Sequence, residues 1–556
     1  MSAKASMALK ALTTSSKHST TTENHRKNPS WHVGSSAGLT CVVDGLLSPD
    51  EIIKWSRSKD MRWLPVVKTE NGESSIQERS SEGSRIGEGL LTEGSCDELA
   101  ASPGSEMTDG TPLDRRVYFE VFGCQMNKLD AELMLGVLNE DGYELTDDPR
   151  DAGVILYNTC AIREQAENRV FSKLGNLKGL KKSRPDLVIG MLGCGAQNHQ
   201  HDIFRRYPHV GIVCGPGEFL RLPQLIDQAR EEGQVAALDL DKPVRFARTK
   251  NLGPRPHHAF VSVMRGCDMA CTYCVVPSTR GGEVSRPVSE IIEEADALVG
   301  SGVKEITLLG QTVNSYGKRL APGRRIGLQH VLCGLNQLDG LERIHFITSH
   351  PRFMNRELVE AMGELDKVCE YLHLPVQSGS DDVLRRMLRS YTMKHYRKVI
   401  DDCRQLVPGI AIATDVIVGF CGETDAEFAE TVKLLEEVRF NGAYIFKYSE
   451  RPGTPAAEFA DDVPEEVKRE RNQVLLEIQR RISLELNSES IGQETEVLVE
   501  GVSKKDKTRW SGRNRKHQIV VFPIQGDENL VGQLVNVKVR DVTSVVLVGE
   551  RPGEES

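Results

Sequence analysis

The chain contains the stretch His258-Ala-Phe-Val-Ser-Val-Met-Arg-Gly-Cys-Asp-Met-Ala-Cys-Thr-Tyr-Cys-Val-Val-Pro277, with three cysteines in a C-x3-C-x2-C arrangement. Thiolates at Cys267, Cys271 and Cys274 would bind three irons of a four-iron cluster and leave the fourth iron open to a small ligand. An odd, closely spaced triplet does not suit disulfides, and tetrahedral zinc would need a fourth ligand nearby. The apolar run before the triplet predicts that the cysteines lie on a loop at the end of a strand.

The region around this stretch, from about residue 253 to 485, alternates strand-like and helical patterns. The strand-like runs are Phe260 to Met264, Glu305 to Leu309, Arg343 to Thr348, Tyr371 to Val376, Ile410 to Val418 and Ala443 to Tyr448. Six βα units predict an α/β fold, an open and partial (βα)6 barrel whose chemistry lies on the loops after the strands. A polar helix from 465 to about 486 closes the region.

Residues 114 to 232 show the same alternation, with a cysteine directly after each of three strand-like runs. Cys124, Cys160 and Cys194 are 36 and 34 residues apart, about one βα unit each. Parallel strands with right-handed crossovers bring their carboxyl ends to one edge of a sheet, where ligands bind, so the three thiols could converge there. The alternative is three structural cysteines, because free cysteine is often buried. Cys214 follows a fourth run and suits either a ligand or a packing role.

The tail, residues 487 to 553, is strand-like throughout and predicts a small β-barrel. One of its segments carries Trp510 and a single acidic residue, Asp506, among many cations. The cations are Lys504, Lys505, Lys507, Arg509, Arg513, Arg515 and Lys516. A basic loop with an aromatic side chain suits RNA, because cations contact phosphates and rings stack on bases. A solvated loop that binds nothing is the alternative.

Residues 1 to 112 are rich in Ser, Thr, Gly and Glu and only weakly periodic, which predicts a disordered or poorly ordered extension. The chain has 13 cysteines and shows no secretory signal, which favours a reducing compartment. No apolar run approaches the ~18 residues of a membrane span, so no membrane partner is expected. We expect a cytoplasmic protein; an organelle is the alternative, because residues 1 to 28 are basic and rich in Ser and Thr.

The chain has 556 residues and a net charge of −10. This length predicts several domains, each large enough for its own core. Because the overall charge is negative, any contact with nucleic acid must come from a local basic patch, such as the one in the tail.

Five motifs narrow the interpretation. They are Val121-Phe-Gly-Cys-Gln-Met-Asn127, Asn158-Thr-Cys-Ala-Ile-Arg-Glu164, Cys271-Thr-Tyr-Cys-Val-Val-Pro277, Thr348-Ser-His-Pro351 and Leu372-His-Leu-Pro-Val-Gln-Ser-Gly-Ser380. Together they resemble the methylthiotransferase family of radical S-adenosylmethionine (SAM) enzymes over roughly residues 114 to 550. The tail resembles the TRAM RNA-binding domain. The resemblance implies an N-terminal methylthiotransferase domain, a radical SAM core and a TRAM domain at the boundaries given above.

The resemblance also implies two [4Fe-4S] clusters, each with one free iron. The set Cys267, Cys271 and Cys274 would hold the radical-generating cluster. The set Cys124, Cys160 and Cys194 would hold a second cluster that carries or donates sulfur. Two SAM molecules would be used per turnover, one as methyl donor and one as radical source.

Further residues can be placed by the same resemblance. Gly310, Gln311, Asp415, Ile417 and Gly419 stand where superfamily members contact SAM, although Gln311 replaces a Glu found in many of them. Each of these could equally serve the fold, as strand-end residues often do. The last two candidates, Arg280 and Arg286, could meet RNA phosphate or the SAM carboxylate.

The implied reaction is methylthiolation of carbon 2 of N6-isopentenyladenosine beside the anticodon (position 37) of tRNA. Sibling activities remain open, on threonylcarbamoyladenosine in tRNA or on a ribosomal protein. A non-catalytic iron–sulfur RNA-binding redox sensor is a further alternative. The expected partners are tRNA, an electron donor such as flavodoxin or ferredoxin, and a sulfur source; a monomer is expected.

Overall fold

A computed structural model of the protein describes residues 112–240, 255–318, 320 and 326–552. The predicted extension, residues 1 to 112, lies outside the described residues except for Pro112, so its order stays a prediction. No helix within the described ranges is both long enough and apolar enough to cross a membrane.

The first region forms one six-stranded sheet in which every neighbouring pair of strands is parallel, in the order β2-β1-β3-β4-β5-β6. The strands are β1 Arg116–Phe122, β2 Glu144–Leu145, β3 Val154–Thr159, β4 Val188–Leu192, β5 Ile212–Cys214 and β6 Val235–Ala237. The helices are α1 Gln125–Glu140, α2 Glu164–Asn176, α3 Lys178–Ser183, α4 Gly193–His199, α5 Asp202–Arg206 and α6 Leu222–Glu232.

Helices cover both faces of this sheet. Helices α1 and α6 pack on one face and α2 and α5 on the other, so two hydrophobic clusters share the same strands. Strands that are buried on both faces are continuous apolar runs, which is why β3 and β4 were predictable from sequence. The predicted parallel-sheet α/β architecture is confirmed.

The second region contains six parallel barrel strands and a short hairpin. The strands are β7 His258–Ser262, β8 Met264–Arg265, β9 Val284–Ser285, β10 Glu305–Leu309, β11 Arg343–Phe346, β12 Tyr371–His373, β13 Ala411–Val418 and β14 Gly442–Lys447. The helices are α7 Val276–Arg280, α8 Val288–Gly300, α9 Gln329–Asn336, α10 Arg356–Glu364, α11 Asp381–Arg386, α12 Met393–Leu406, α13 Asp425–Val438 and α14 Glu465–Ser488.

The barrel strands form two parallel three-stranded sheets, β11-β10-β7 and β12-β13-β14. A parallel bridge between Ile344 and Val368 joins the two sheets just before β12 begins. The six strands therefore form one arc, as the alternating pattern predicted for a partial barrel. Strands β8 and β9 form an antiparallel hairpin beside the cysteine triplet.

The tail is a closed barrel with the strand order β15-β16-β17-β19-β18. Its strands are β15 Glu494–Val502, β16 Arg509–Asn514, β17 Ile519–Pro523, β18 Leu534–Val542 and β19 Val546–Glu550. The expected small β-barrel is confirmed, but the interpretation of residues 504 to 516 as one basic loop is wrong, because β16 occupies half of it.

Two residues of the basic segment are buried because of this extra strand. Trp510 is 7% exposed and belongs to the hydrophobic core of the barrel. Arg513 is 3% exposed and pairs with Glu500 at 2.5 Å. Trp510 is therefore not available to stack on a base, whereas Lys505 and Lys507 remain exposed.

The tail barrel docks at the amino ends of the large barrel's strands. Arg343, the first residue of β11, donates to the carbonyl oxygen of Arg513 at 2.8 Å and pairs with Glu496. Arg515 pairs with Glu370 at 2.8 Å, just before β12. The amino ends are opposite to the strand ends that carry the cysteines, so this contact closes the far end of the barrel.

Candidate functional site

The three cysteines of the first region lie at neighbouring strand ends. Cys124 follows β1 and precedes α1, Cys160 follows β3, and Cys194 is the second residue of α4, directly after β4. All three are free thiols, and Cys160 and Cys194 are buried. Since β1, β3 and β4 are adjacent and parallel, the structure brings these residues to one sheet edge, as predicted.

The first two of these thiols are in direct contact. A hydrogen bond from the Cys160 thiol lowers the pKa of Cys124 to about 6, against the effect of burial. The same contact raises the pKa of Cys160. Asn127 lies 3.1 Å from the Cys124 sulfur and bonds to Asn158 of β3, which ties the two cysteine segments together. A thiolate is the form of cysteine that binds metals, so Cys124 suits a metal ligand.

Cys194 contacts a side chain from the second region. The Nε of Arg280 donates to the Cys194 sulfur at 3.1 Å. The same guanidinium pairs with Asp130 of α1 at 2.5 Å, and both groups are almost completely buried. Arg280 was a candidate for phosphate or SAM binding; the structure instead places it between the two domains, on a cysteine.

Glycines allow the backbone to approach closely at this edge. Gly123, just before Cys124, has φ +139°, and a Cβ there would lie 2.4 Å from the Cβ of Cys160. Gly193, just before Cys194, has φ +87°, and a Cβ there would lie 2.1 Å from the Oδ1 of Asn158. Both positions therefore require glycine, for backbone conformation and for space.

The C-x3-C-x2-C triplet lies in the loop between β8 and α7. The Cys267 sulfur is 3.0 Å from the hydroxyl oxygen of Thr312, and the backbone N–H of Met269 donates to it at 3.4 Å. Arg389 donates to the Cys271 sulfur at 3.4 Å. Burial raises the pKa of Cys274 to about 12 and also raises that of Cys267. A bound metal ion would favour the thiolate forms of Cys267 and Cys274, because a coordinated thiol loses its proton.

Gly310 and Gln311 follow β10 directly and lie beside the triplet. The Oε1 of Gln311 accepts from the backbone N–H of Gly266 at 2.5 Å, one residue before Cys267. The Nε2 of Gln311 is buried and has no hydrogen-bond partner among the described residues. A buried amide donor without a partner is costly, so a ligand acceptor at this position would satisfy it.

Asp415, Ile417 and Gly419 lie along the carboxyl half of β13 and its following turn. The carboxylate of Asp415 accepts a hydrogen bond from the Nε2 of His373 at 2.8 Å. Ile417 packs in the same hydrophobic cluster as Tyr273, which lies between two of the cysteines. Gly419, with φ +68°, donates its N–H to Glu423 at 2.6 Å. Ile417 therefore lies near the triplet, Asp415 shares its face of β13 two residues earlier, and the N–H of Gly419 holds the turn.

Helix α1 brings the two cysteine sets together over the mouth of the barrel. Leu129 of α1 packs against Phe260, Leu309 and Ile347, which lie at or near the carboxyl ends of three barrel strands. A second small cluster joins the residues after Cys160 and Cys274, Ala161 and Val275, to Cys194 itself. Residues of the two cysteine loops are therefore in contact near the carboxyl ends of the barrel strands.

Three protein-family models match the chain in separate segments. The "Uncharacterized protein family UPF0004" model matches residues 116–215, the "Radical SAM superfamily" model residues 261–435 and the "TRAM domain" model residues 489–550. These segments hold, in order, the strand-end cysteines, the triplet and the tail barrel. The expected resemblance is confirmed, while the finer domain boundaries stay predictions.

Similarity to known proteins shows the family to which the chain belongs. The chain is 45% identical to the tRNA-2-methylthio-N(6)-dimethylallyladenosine synthase of Thermoanaerobacter sp. (strain X514), over 78% of this chain and 92% of that protein. The enzyme of the same name from Rhodopirellula baltica is 44% identical, over 79% and 95%. The chain belongs to this synthase family. A solved radical SAM methyltransferase, TsrM from Kitasatospora setae, is 13% identical with a TM-score of 0.46, over 69% of this chain and 78% of that one.

In this member of the synthase family, the two sets of three cysteines can be compared with the ligands that an iron–sulfur cluster requires. Within the described residues, no three His, Cys, Asp or Glu side chains stand close enough to share one metal ion. In a cubane each cysteine binds a different iron, so its ligands lie further apart than those of a single ion. Both sets consist only of cysteine, and a Cβ at Gly123 would crowd Cys160 of the first set. The residues fit two such clusters better than a mononuclear site.

Sequence reasoning missed several residues of the candidate site, including Arg389 and Arg163 as well as Thr312 and Asp130. Arg389 reaches Cys271 from a loop 118 residues further along the chain. Arg163, in the Asn158–Glu164 motif, lies near Tyr444 and Asp415 of the barrel, and burial lowers its pKa to about 10. The one sequence signal for Arg163 is its place in the Asn158–Glu164 motif, three residues after Cys160. Arg286, a phosphate or SAM candidate, is instead buried and paired with Glu294 at 2.5 Å.

Replacing Gly193 by Ala should remove the second cluster. The left-handed backbone would cost about 1–2 kcal/mol, and the contact with Asn158 should add about 1–3 kcal/mol. We expect reconstituted protein to lose about half its iron and to unfold at a lower temperature. Gly142→Ala is the matched control, since Gly142 has φ +81° with nothing near its Cβ position. Equal losses in the two variants would contradict the steric argument.

Proposed function

We infer that the protein methylthiolates carbon 2 of N6-isopentenyladenosine beside the anticodon of tRNA. The observation that carries this inference is the meeting of two all-cysteine sets at one barrel mouth. The identity to the Thermoanaerobacter synthase over most of both chains supports the substrate. The product would be 2-methylthio-N6-isopentenyladenosine.

The two cysteine sets would hold the two clusters. Cys267, Cys271 and Cys274 would hold one [4Fe-4S] cluster, and Cys124, Cys160 and Cys194 the other. When bound, these clusters supply the electron for SAM cleavage and the attachment point for sulfur. A radical is needed because no side-chain base can remove the weakly acidic hydrogen of that ring carbon.

The chain's own residues would orient the reactants. The buried Nε2 of Gln311, beside Gly310, would donate to SAM, and Asp415 and Ile417 would contact its ribose and adenine. Gly419 would assist through the turn that it begins. Helix α1, whose Leu129 packs against the barrel strands, would limit the access of water to the mouth and so protect a radical from side reactions. Arg163 would face the substrate from the first domain, near Asp415 and Tyr444.

The partners follow from this chemistry. The tRNA would bind partly through the TRAM barrel. A low-potential electron donor such as flavodoxin or ferredoxin would reduce the clusters, and a separate sulfur source would resupply the second one. We propose that the protein acts as a monomer in the cytoplasm.

The function is tested with anaerobically reconstituted protein, SAM, a reductant and two anticodon stem-loops. One stem-loop carries isopentenyladenosine and the other threonylcarbamoyladenosine. We expect mass spectrometry of the nucleosides to show methylthiolation of the first alone. Modification of the second alone would assign the sibling tRNA activity. A separate reaction with a ribosomal protein in place of the stem-loops, followed by peptide mass analysis, tests the other sibling. Absence of 5′-deoxyadenosine in every reaction would indicate a redox sensor.

Neutralising the exposed lysines of the tail should weaken tRNA binding. The triple change Lys504→Gln, Lys505→Gln and Lys507→Gln removes cations before β16. Each lost phosphate contact lowers the slope of log Kobs against log salt by about 0.7–0.9, so a fall of about 2 is expected. The measurement is tRNA affinity across a salt series.

The control for these lysines is a triple change of equal charge on the outer helices of the large barrel. Lys394, Lys398 and Lys433 are exposed on α12 and α13. Their replacement by Gln should leave the salt slope unchanged. An equal effect of both triple variants would show that binding follows net charge alone.

A further inference from the structure

The cysteine loop of the large barrel supplies a cation to the cysteine set of the other domain. Helix α7 begins two residues after Cys274 and ends at Arg280. Arg280 donates its Nε to the Cys194 sulfur at 3.1 Å, across 86 residues of sequence. Its terminal nitrogen pairs with Asp130 of α1 at 2.5 Å. One guanidinium therefore touches a cysteine and a carboxylate of the first domain at once.

Stability alone does not account for this buried pair. Arg280 is 3% exposed and Asp130 is 5% exposed. Removing two charges from water costs several kcal/mol for each ion, and well-packed apolar side chains often serve the fold equally well. A guanidinium that also donates to a sulfur has a chemical use, because hydrogen bonds and charge at the sulfurs set the potential of an iron–sulfur cluster.

Arg280 and the charged side chains beside it, Arg265 and Asp130, together carry a net positive charge. Arg265 lies close enough to Arg280 and Asp130 to affect the ionisation of both, and Asp130 is the acidic neighbour on α1. An arginine guanidinium keeps its proton in proteins at physiological pH. The guanidinium therefore stays charged and faces Cys194 with one carboxylate beside it.

We propose that Arg280 is a positioning residue that raises the reduction potential of the second cluster through its hydrogen bond to Cys194, and that Asp130 limits this effect. Reduction adds one negative charge to the cluster, and a nearby cation stabilises that form more than the oxidised one. This proposal rests on the proposed function, because it requires that Cys124, Cys160 and Cys194 bind a cluster.

The test uses full-length protein in which Cys267, Cys271 and Cys274 are replaced by Ala, so that only the second cluster contributes. Its reduced fraction is followed by electron paramagnetic resonance in a mediated potentiometric titration. Arg280→Met should lower the ratio of reduced to oxidised cluster about tenfold at a fixed potential, which equals about 59 mV for one electron. Asp130→Asn should raise that ratio, because the guanidinium then acts without its counter-ion.

Opposite shifts of the reduction potential in Arg280→Met and Asp130→Asn would distinguish this role from a structural one. Damage to packing would move both variants in the same direction or release iron from both. Arg286→Met is the matched control: Arg286 is equally buried, and it binds Glu294 and the carbonyl oxygen of Ser262. This control should leave the potential unchanged.

Each outcome has a definite meaning. Unchanged potential in Arg280→Met with the cluster bound would overturn the proposal, as would equal shifts in all three variants. If Arg280→Met fails to bind iron, the Asp130→Asn variant decides, and the absence of an upward shift there overturns the proposal. If the parent variant with the three alanines binds no iron, the assignment of Cys124, Cys160 and Cys194 as ligands fails, and this proposal fails with it.

Discussion

Replacing Cys267, Cys271 and Cys274 together by Ala is expected to abolish cleavage of SAM to 5′-deoxyadenosine. All three thiols lie in one loop whose neighbours, Thr312 and Arg389, already contact two of the sulfurs. Without thiolates the loop has no ligand for iron, so the loss should be complete rather than partial. Iron should fall from about eight to about four atoms per chain, because the second set lies in another domain.

The measurements are iron content with Mössbauer spectroscopy and chromatography of 5′-deoxyadenosine. The matched control replaces Cys333, Cys369 and Cys403, three other buried cysteines of the same region, by Ala. That variant should keep both the iron and the product, apart from a modest loss of stability. A fall of iron to zero in the first variant would refute two independent clusters.

Replacing Cys124, Cys160 and Cys194 by Ala should separate radical formation from sulfur insertion. The contact of Cys267 with Thr312 and the bond of Gln311 to Gly266, just before the triplet, both lie within the barrel and are untouched by this change. We expect 5′-deoxyadenosine to form still, while 2-methylthio nucleoside becomes undetectable. Iron should again fall by about half, now from the other cluster.

Cys214→Ala is the control for this second variant. Cys214 ends β5 of the same sheet, yet it packs in the hydrophobic cluster with Leu192 and Ile212. Burial raises its pKa well above the usual range, as expected for a packing cysteine. The nucleoside product should persist in this variant. Loss of the nucleoside product in Cys214→Ala would make Cys214 a fourth functional thiol at this sheet edge. If the product persists in the variant without Cys124, Cys160 and Cys194, these cysteines do not take part in sulfur insertion.

The convergence of the cysteines was predictable because it follows from topology. Strands buried on both faces are apolar runs that periodicity detects, and parallel pairing then places Cys124, Cys160 and Cys194 at one edge. The start of a helix is harder to predict: α1 begins at Gln125, directly after Cys124, whereas its apolar periodicity begins at Leu129. Three of the four residues in the first turn, Gln-Met-Asn-Lys, are polar, so hydrophobic periodicity does not reveal that turn.

The rest of the site depends on contacts that sequence patterns do not reveal. Arg280 and Asp130 are 150 residues apart in the sequence. No local pattern distinguishes an arginine that is buried in an ion pair from one that binds a phosphate. Strand β16 was missed for a related reason. Its two arginines pair with acidic side chains of the tail itself, Arg513 with Glu500 and Arg509 with Asp506, so a largely buried strand has the composition of a solvated loop.

The docking of the tail barrel constrains how this architecture can change. Arg343 is fully buried, and its partners Glu496 and Arg513 belong to the tail. Removing the partner of a buried charge costs about 3–5 kcal/mol, and His517 of the tail also packs against His345 and Tyr371. The tail barrel is therefore an integral part of the folded unit that contains the large barrel, and not an independently attached domain. A chain that lacks the tail should be less stable than the full chain, so a substitution in this contact can weaken the large barrel from the end opposite to the cysteines.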